Sequence, residues 1–253
     1  MTLFGQQTTH NLRRTQTQGR PLCPDGVDAV NSAYPRTIFC SLIKKRERWG
    51  LTLWGWAAVL IFACAAVVFL VPGIHGFLAI DCPVQGQVLV VEGWIPDYAI
   101  PGAISEFEKK GYRRLVVVGG PILLGSHLAG YRSYAELGRA RLKGLGLSDA
   151  QTVVLEIHDT RKDRTYESAV AVKQWIAASG AKVQGLDIYT LGAHARRSRL
   201  LFQKAFGKDV VIGVVAADDQ TYDPKSWWKS SNGVRSVMSE LIAYVYAVAF
   251  FHP

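Results

Sequence analysis

Five short runs dominated by Val, Ile and Leu mark the C-terminal two thirds of the chain, at Gln87–Val91, Arg114–Val118, Thr152–Ile157, Leu186–Thr190 and Val210–Val215. Each has the length of a strand buried on both faces, and each gives way within three residues to a glycine or an acidic residue. Between them lie stretches with apolar positions three and four apart: Ala99–Lys110 ending at Gly111, about Ser133–Lys143 stopped by Gly144 and Gly146, about Thr165–Ala178, and a basic stretch to about Phe206. Strict strand and helix alternation predicts an α/β fold, a Rossmann-like three-layer parallel sheet of about five strands.

The most apolar stretch lies upstream. Leu51–Val71 carries no charge over 21 positions, and a bilayer crossing takes about 20 apolar residues. Trp54 and Trp56 near its start suit the headgroup boundary. Lys44, Lys45, Arg46 and Arg48 precede the run, whereas Pro72–Asp81 holds no Lys or Arg. The positive-inside rule then keeps the N-terminus in the cytoplasm and exports the rest. The predicted organisation is a disordered basic cytoplasmic tail at 1–49, a single transmembrane helix at 50–72 and an exported domain at 82–253, anchored in the inner (plasma) membrane and facing the periplasm. The 49 residues ahead of the apolar run are too many for the n-region of a cleaved signal peptide. The closing stretch Val237–Phe251 has one charge, Glu240, and is too short for a second span. It packs on the sheet or lies against the bilayer.

Charge narrows the partners. The chain is +9 overall, with eight Lys/Arg against three Asp/Glu in the first 49 residues, so the exported domain is basic as well. Beside a bilayer this points to membrane lipid and to an anionic small-molecule or lipid-linked phosphate ligand. Nucleic acid is disfavoured, because no zinc-ligand spacing, RNA-binding signature or recognition-helix pattern is present. Cys23 and Cys40 fall on the inner side, Cys64 within the span and Cys82 beyond it, so the exported domain folds without a disulfide.

The unusual residues fall where the strands end. Glu92, Gly93, Trp94 and Asp97 follow the first strand, Gly119 and Gly120 the second, His158–Arg164 the third, His194–Arg197 the fourth, and Asp218 and Asp219 the fifth. In a parallel sheet the carboxyl ends share one edge, so these clusters should converge on a single cleft.

Within that set, His194, Arg196, Arg197 and Arg199 crowd the first turn of a helix, where the dipole disfavours cations. An anion seated on the helix N-terminus would account for them, and a solvated basic helix face is the alternative. Glu92 and His194 are the candidate proton-transfer pair. Their structural alternatives are a salt bridge from Glu92 to Arg164 or Arg197, and His194 capping its own helix. Thr165 and Glu167 either meet a ligand or form, behind Asp163, the start of a capped helix. Gly93, Gly119 and Gly120 let backbone approach a phosphate. No dinucleotide fingerprint or Walker lysine accompanies them, which disfavours NAD and ATP chemistry and leaves the cofactor unknown. His158 and the aspartates form no recognisable metal set. Trp227 and Trp228 read as a plug over the core edge, or as an apolar wall or sugar-stacking platform.

The order Val-Val-Glu92-Gly93, Val-Val-Gly119-Gly120, Arg164-Thr165-Tyr166-Glu167-Ser168-Ala169 and Thr190-Leu-Gly-Ala-His194-Ala-Arg-Arg197-Ser resembles the YdcF/SanA/ElyC-like family of bacterial envelope proteins over about residues 86–215. The opening Val-Glu-Gly-Trp and the tail Trp227–Phe251 are similar to one subgroup. The resemblance implies a Rossmann-like domain behind one N-terminal anchor, linked to envelope and peptidoglycan-precursor processes with no assigned reaction. It also implies that His194 and Arg197 match a His-x-x-Arg pair, and that Thr165, Tyr166, Glu167 and Ala169 match an Asn-Thr-Tyr-Glu-Asn-Ala motif. Arg164 and Ser168 replace the two Asn, Glu92 stands in a usually glycine-rich stretch, and Tyr134 or Glu136 occupies the region of a usual Glu. These departures make the cleft more charged.

Two classes of function follow. One is a hydrolase or transferase acting on a phosphorylated envelope intermediate, with Arg164, Arg196 and Arg197 clamping the anion and Glu92 and His194 sharing the proton work. The other is a non-catalytic binding or regulatory module, or a nucleotide or S-adenosylmethionine-type binder.

Overall fold

In the computed structural model the described residues are 43–44, 50–123, 130–158 and 162–253. Apart from Ile43–Lys44, the tail expected at 1–49 lies outside them, as do parts of the linker before Gly130 and of the loop after His158. The chain divides into two units after Ala58. In the first, Ile43–Lys44 pairs antiparallel with Gly50–Leu51. Thr52 then caps the helix that follows, its hydroxyl accepting from the Gly55 amide at 3.1 Å.

That helix, α1 (Leu53–Leu78), has 26 residues and is long and apolar enough to cross a membrane. It continues past the end expected at residue 72. Pro72 sits inside it, and the turns beyond are held by packing: Leu78 is fully buried with Trp227 and Val237, and Val71 and Ile74 lie against the same cluster. Burial of that face offsets the hydrogen bond that the proline removes.

The second unit, Val59–Pro253, holds the rest of α1 and the α/β domain. Its elements are β1 (Val88–Glu92), α2 (Ile100–Lys110), β2 (Arg114–Gly119), α3 (Tyr134–Gly144), β3 (Thr152–Glu156), α4 (Arg164–Ser179), β4 (Gly185–Leu191), α5 (Ala195–Phe206), β5 (Val211–Ala217) and α6 (Ser231–Ala249). The five strands form one parallel sheet in the order β3-β2-β1-β4-β5. Their boundaries depart from the sequence expectation by at most two residues.

Alternation along the strands sorts the helices into two layers. Leu89, Val91, Leu115 and Val117 pack with Ile100, Ala103 and Phe107 of α2 and Leu142 of α3. Val88, Val90, Val116, Val118 and Ile188 face the other way, onto Ala169 and Val172 of α4 and Phe202 and Phe206 of α5. At the amino end of the sheet the wholly buried Asp187 accepts from the amides of Val84 (2.7 Å) and Gly86 (2.9 Å) and from the Tyr112 hydroxyl (3.0 Å). A buried carboxylate so fully bonded serves stability.

The chain builds outward from β1 to β3, then returns to lay β4 against the other side of β1. The connections after β1 and β4 therefore leave toward opposite faces, and a crevice opens between them at the carboxyl edge. That reversal is where open α/β sheets hold ligands.

Candidate functional site at the carboxyl edge of the sheet

Glu92 closes β1, and its side chain reaches across to the neighbouring strand and helix. It is 3% exposed. It accepts from the Thr190 hydroxyl on β4, and from the Ser198 hydroxyl on α5 at 3.0 Å. His194 stands in the single turn Gly192–His194 between β4 and α5. Gly192 makes that turn with φ 42°, and a Cβ there would lie 3.3 Å from the Cβ of Asp219. The imidazole is held from both sides: Nε2 faces Oε2 of Glu92 at 3.4 Å and Nδ1 meets Oε1 of Glu240 at 2.9 Å. The Trp94 ring stands edge-on to it, with centroids 5.0 Å apart.

Glu240 comes from α6, the last helix, and it is the residue that sequence reasoning missed as part of the site. It receives the Arg197 guanidinium through Nε (2.8 Å) and Nη2 (3.2 Å). Arg197 also reaches the Thr165 hydroxyl at 3.5 Å. The result is a line of alternating charge, Glu92, His194, Glu240, Arg197, anchored on β1, α5 and α6.

The charges sustain one another. Burial pushes the Glu92 carboxyl up, but the His194 cation and the Thr190 and Ser198 hydroxyls outweigh it and hold its pKa below the ordinary value. Burial pulls His194 down, and the carboxylates of Glu92 and Glu240 reverse this, raising it to about 9. Burial likewise opposes ionisation of Glu240, yet His194 and Arg197 bring it down to about 2. At neutral pH His194 is therefore an imidazolium between two carboxylates. Glu92, with both oxygens occupied and almost no exposed surface, orients and charges His194.

A cavity of about 570 Å³ opens beside this line. Of the residues singled out in the sequence it brings together Glu92, Trp94, Gly119, Gly120, Arg164, Thr165, His194 and Arg197. Arg164 stands exposed at the first turn of α4, and among the described residues it has no ion-pair partner. Tyr134 lines the cavity too, whereas Glu136 turns back to cap α3, accepting from the Arg132 amide at 2.8 Å. The rest of the lining is largely apolar, with Leu201 of α5, Ala243, Tyr246 and Ala247 of α6, and Phe251.

Other expected residues lie elsewhere. Arg196 points away, its Nε donating to the carbonyl of Phe77 and its guanidinium lying 4.1 Å from that ring's centroid. It satisfies a carbonyl at the C-terminal end of α1, where a cation also suits the helix dipole. Arg199 is bound to the Ile212 carbonyl at 2.9 Å. Gly93 does not line the cavity: a Cβ there would lie 2.3 Å from the Tyr134 carbonyl oxygen, so its smallness serves the approach of α3 to the sheet. Glu167 is exposed in the first turn of α4, outside the cavity. Asp163 precedes it with φ 53° and no side-chain cap; its carbonyl takes the Tyr166 and Glu167 amides. Asp218 and Asp219 do not join the cleft either, since Asp219 binds Thr221 and the Tyr98 hydroxyl and Asp218 lines a separate hollow beside α2. Their strand lies at the sheet edge, one position beyond the reversal.

Arg197 is likewise not the free clamp expected from the sequence, because Glu240 already occupies two of its donor groups. No protein-family model matches the chain, and no curated protein matches it.

Proposed function

We propose that this is a membrane-anchored protein of the bacterial envelope whose α/β cleft binds the phosphorylated headgroup of a lipid-linked intermediate, such as a peptidoglycan precursor. The observation that carries the reading is the mixed character of one cavity. Its lining brings the cations Arg164, His194 and Arg197, alongside Glu92 and Asp163, together with the uncharged Leu201, Ala243, Tyr246, Ala247 and Phe251. A phosphate gains from a guanidinium and from a helix N-terminus, and an acyl or prenyl chain gains from the apolar wall. The strand order agrees with the first five positions of the doubly wound, Rossmann-like arrangement, whose ligands sit at this reversal. The anchor is α1, and the Lys44–Arg48 cluster supports an N-terminus in the cytoplasm with the domain outside.

A hydrolase or transferase acting on the same ligand is the second reading. It is favoured by His194, a buried imidazolium on the cavity wall whose Nε2 is held only by the loose 3.4 Å ion pair to Glu92. Such a proton could pass to a departing oxygen.

Titration calorimetry on the full chain in detergent tests the binding reading with three probes: farnesyl pyrophosphate, inorganic pyrophosphate and farnesol. Farnesyl pyrophosphate should bind most tightly, and Arg164→Ala should weaken it by about ten-fold or more, the loss of a charge-assisted contact. Equal binding of farnesol and farnesyl pyrophosphate would refute the anion site. Release of inorganic phosphate from the pyrophosphate, abolished by His194→Gln, would favour the enzyme.

A further inference from the structure

The tandem indoles that the sequence marked take no part in the cleft. Trp227 is the plug. It is 3% exposed, packed with Leu78, Ala193, Tyr222 and Val237, and its indole N–H donates to the Val71 carbonyl at 3.3 Å. Trp228 stands edge-on to it, ring centroids 6.0 Å apart, and is 37% exposed.

The level of that contact matters. A hydrocarbon core of about 30 Å takes about 20 helical residues at 1.5 Å each. A span entered at Leu53 therefore leaves the core near Pro72, and Val71 lies at the outer boundary. Trp227 is fastened at that depth. Lys225, Lys229 and Arg235 are exposed on the same short segment, and Val234 is 40% exposed beside them. The acidic residue just before this stretch, Asp223, is exposed and caps its own turn, accepting from the Lys225 amide at 2.9 Å and the Ser226 hydroxyl at 2.7 Å, and the three cations outnumber it. On the elements packed against the segment, the titratable His75 of α1 stands edge-on to Tyr222, and Glu240, further along α6, is already committed to His194 and Arg197.

We propose that residues 225–235 form a second membrane contact, in which Trp228 and Val234 enter the headgroup layer and Lys225, Lys229 and Arg235 meet anionic phospholipid around the exit of α1. The proposal rests on the reading of α1 as a span. Indole rings favour the membrane interface, and an exposed apolar side chain flanked by cations is the pattern of an interfacial contact. Because α6 starts at Ser231 and carries Glu240 to the cleft, this contact fixes the height and tilt at which the cleft stands above the lipid.

The test uses the full chain in nanodiscs of phosphatidylcholine with or without phosphatidylglycerol, its four cysteines changed to serine, and a nitroxide placed in turn at Val234, at Val68 and at Leu145. Relative collision rates with oxygen and with a nickel chelate give the depth of each label. Val68 should read as hydrocarbon, Leu145 as water and Val234 as headgroup. Adding Trp228→Ser or Lys225→Gln with Lys229→Gln should move the Val234 label into water, the charge variant acting only where phosphatidylglycerol is present. In the unaltered chain, amide exchange over 225–235 should slow when phosphatidylglycerol is added. A Val234 label as aqueous as Leu145 while Val68 stays in hydrocarbon overturns the proposal and spares the span, and so does a headgroup reading indifferent to Trp228 and the lysines. An aqueous Val68 overturns the span itself.

Discussion

Glu240→Gln removes one carboxylate from the imidazolium of His194 while keeping the shape of the side chain. In the parent, the His194 pKa rises from 6.5 to about 9, with burial opposing the rise and Glu92 and Glu240 producing it. At 1.36 kcal/mol per unit this corresponds to about 3 kcal/mol of stabilisation. Because the folded-state value lies above the unfolded one, that stabilisation is fully present below about pH 6.5 and disappears as pH rises through about 9. Glu240 behaves oppositely: with its pKa lowered from 4.5 to about 2, its contribution is present above 4.5 and lost as pH falls through 2. Both are in full force between about pH 4.5 and 6.5. With glutamine at 240 only Glu92 remains to hold the proton, so the alkaline loss of stability should shift toward neutral pH by a unit or more. Stability at pH 7 should fall by about 1 to 2 kcal/mol. The measurements are thermal unfolding of the full chain in detergent across about pH 5 to 10 and NMR titration of the His194 ring. A variant whose imidazole still titrates near 9, with an unmoved alkaline limb, would refute the coupling.

Arg197→Ala should destabilise the fold by about 2 to 4 kcal/mol, since it strands the half-buried Glu240; loss of ligand binding without any change in unfolding would contradict this. Gly93→Ala should cost about 3 kcal/mol or more, or prevent folding, because its Cβ would strike the Tyr134 carbonyl at 2.3 Å; soluble yield and melting temperature of the full chain read it. Arg196→Ala should leave binding of farnesyl pyrophosphate intact and accelerate proteolysis near Phe77, whose carbonyl it caps; weakened binding with unaltered cleavage would return Arg196 to the cleft. A reporter fused after Pro253 should be active only outside the cytoplasm, and activity inside would sink the envelope reading.

The sheet was legible because strands buried on both faces leave continuous apolar runs, and because a parallel sheet sends every run's end to one edge. Glu92, Arg164 and His194 could be placed together on that ground alone. Glu240 could not, since its partner Arg197 lies 43 residues earlier and no local period connects α6 to α5. Its signal was nonetheless printed in the chain: a lone carboxylate in an apolar helix must find a cation when that helix is buried. Arg196 was misplaced because neighbouring positions on a helix point about 100° apart, so one faces the cleft and the other the end of α1. Asp218 and Asp219 follow the right kind of strand end but on an outer strand, and strand order, which decides this, leaves no mark on local sequence.

Since Glu240 sits on α6, the cleft is complete only once that helix has docked. A chain folded as far as α5 displays His194 and Arg197, two cations facing a single deep carboxylate, before α6 brings Glu240. Until then His194 lacks the partner that holds much of its proton, and the apolar wall of Ala243, Tyr246, Ala247 and Phe251 is missing. A product cut short before Glu240 would therefore differ in kind from the full chain, with a basic, open notch in place of a charge-balanced cavity. Docking of α6 becomes a condition for the proposed ligand capture, and a protease cutting ahead of Glu240 would switch the site off in one cut.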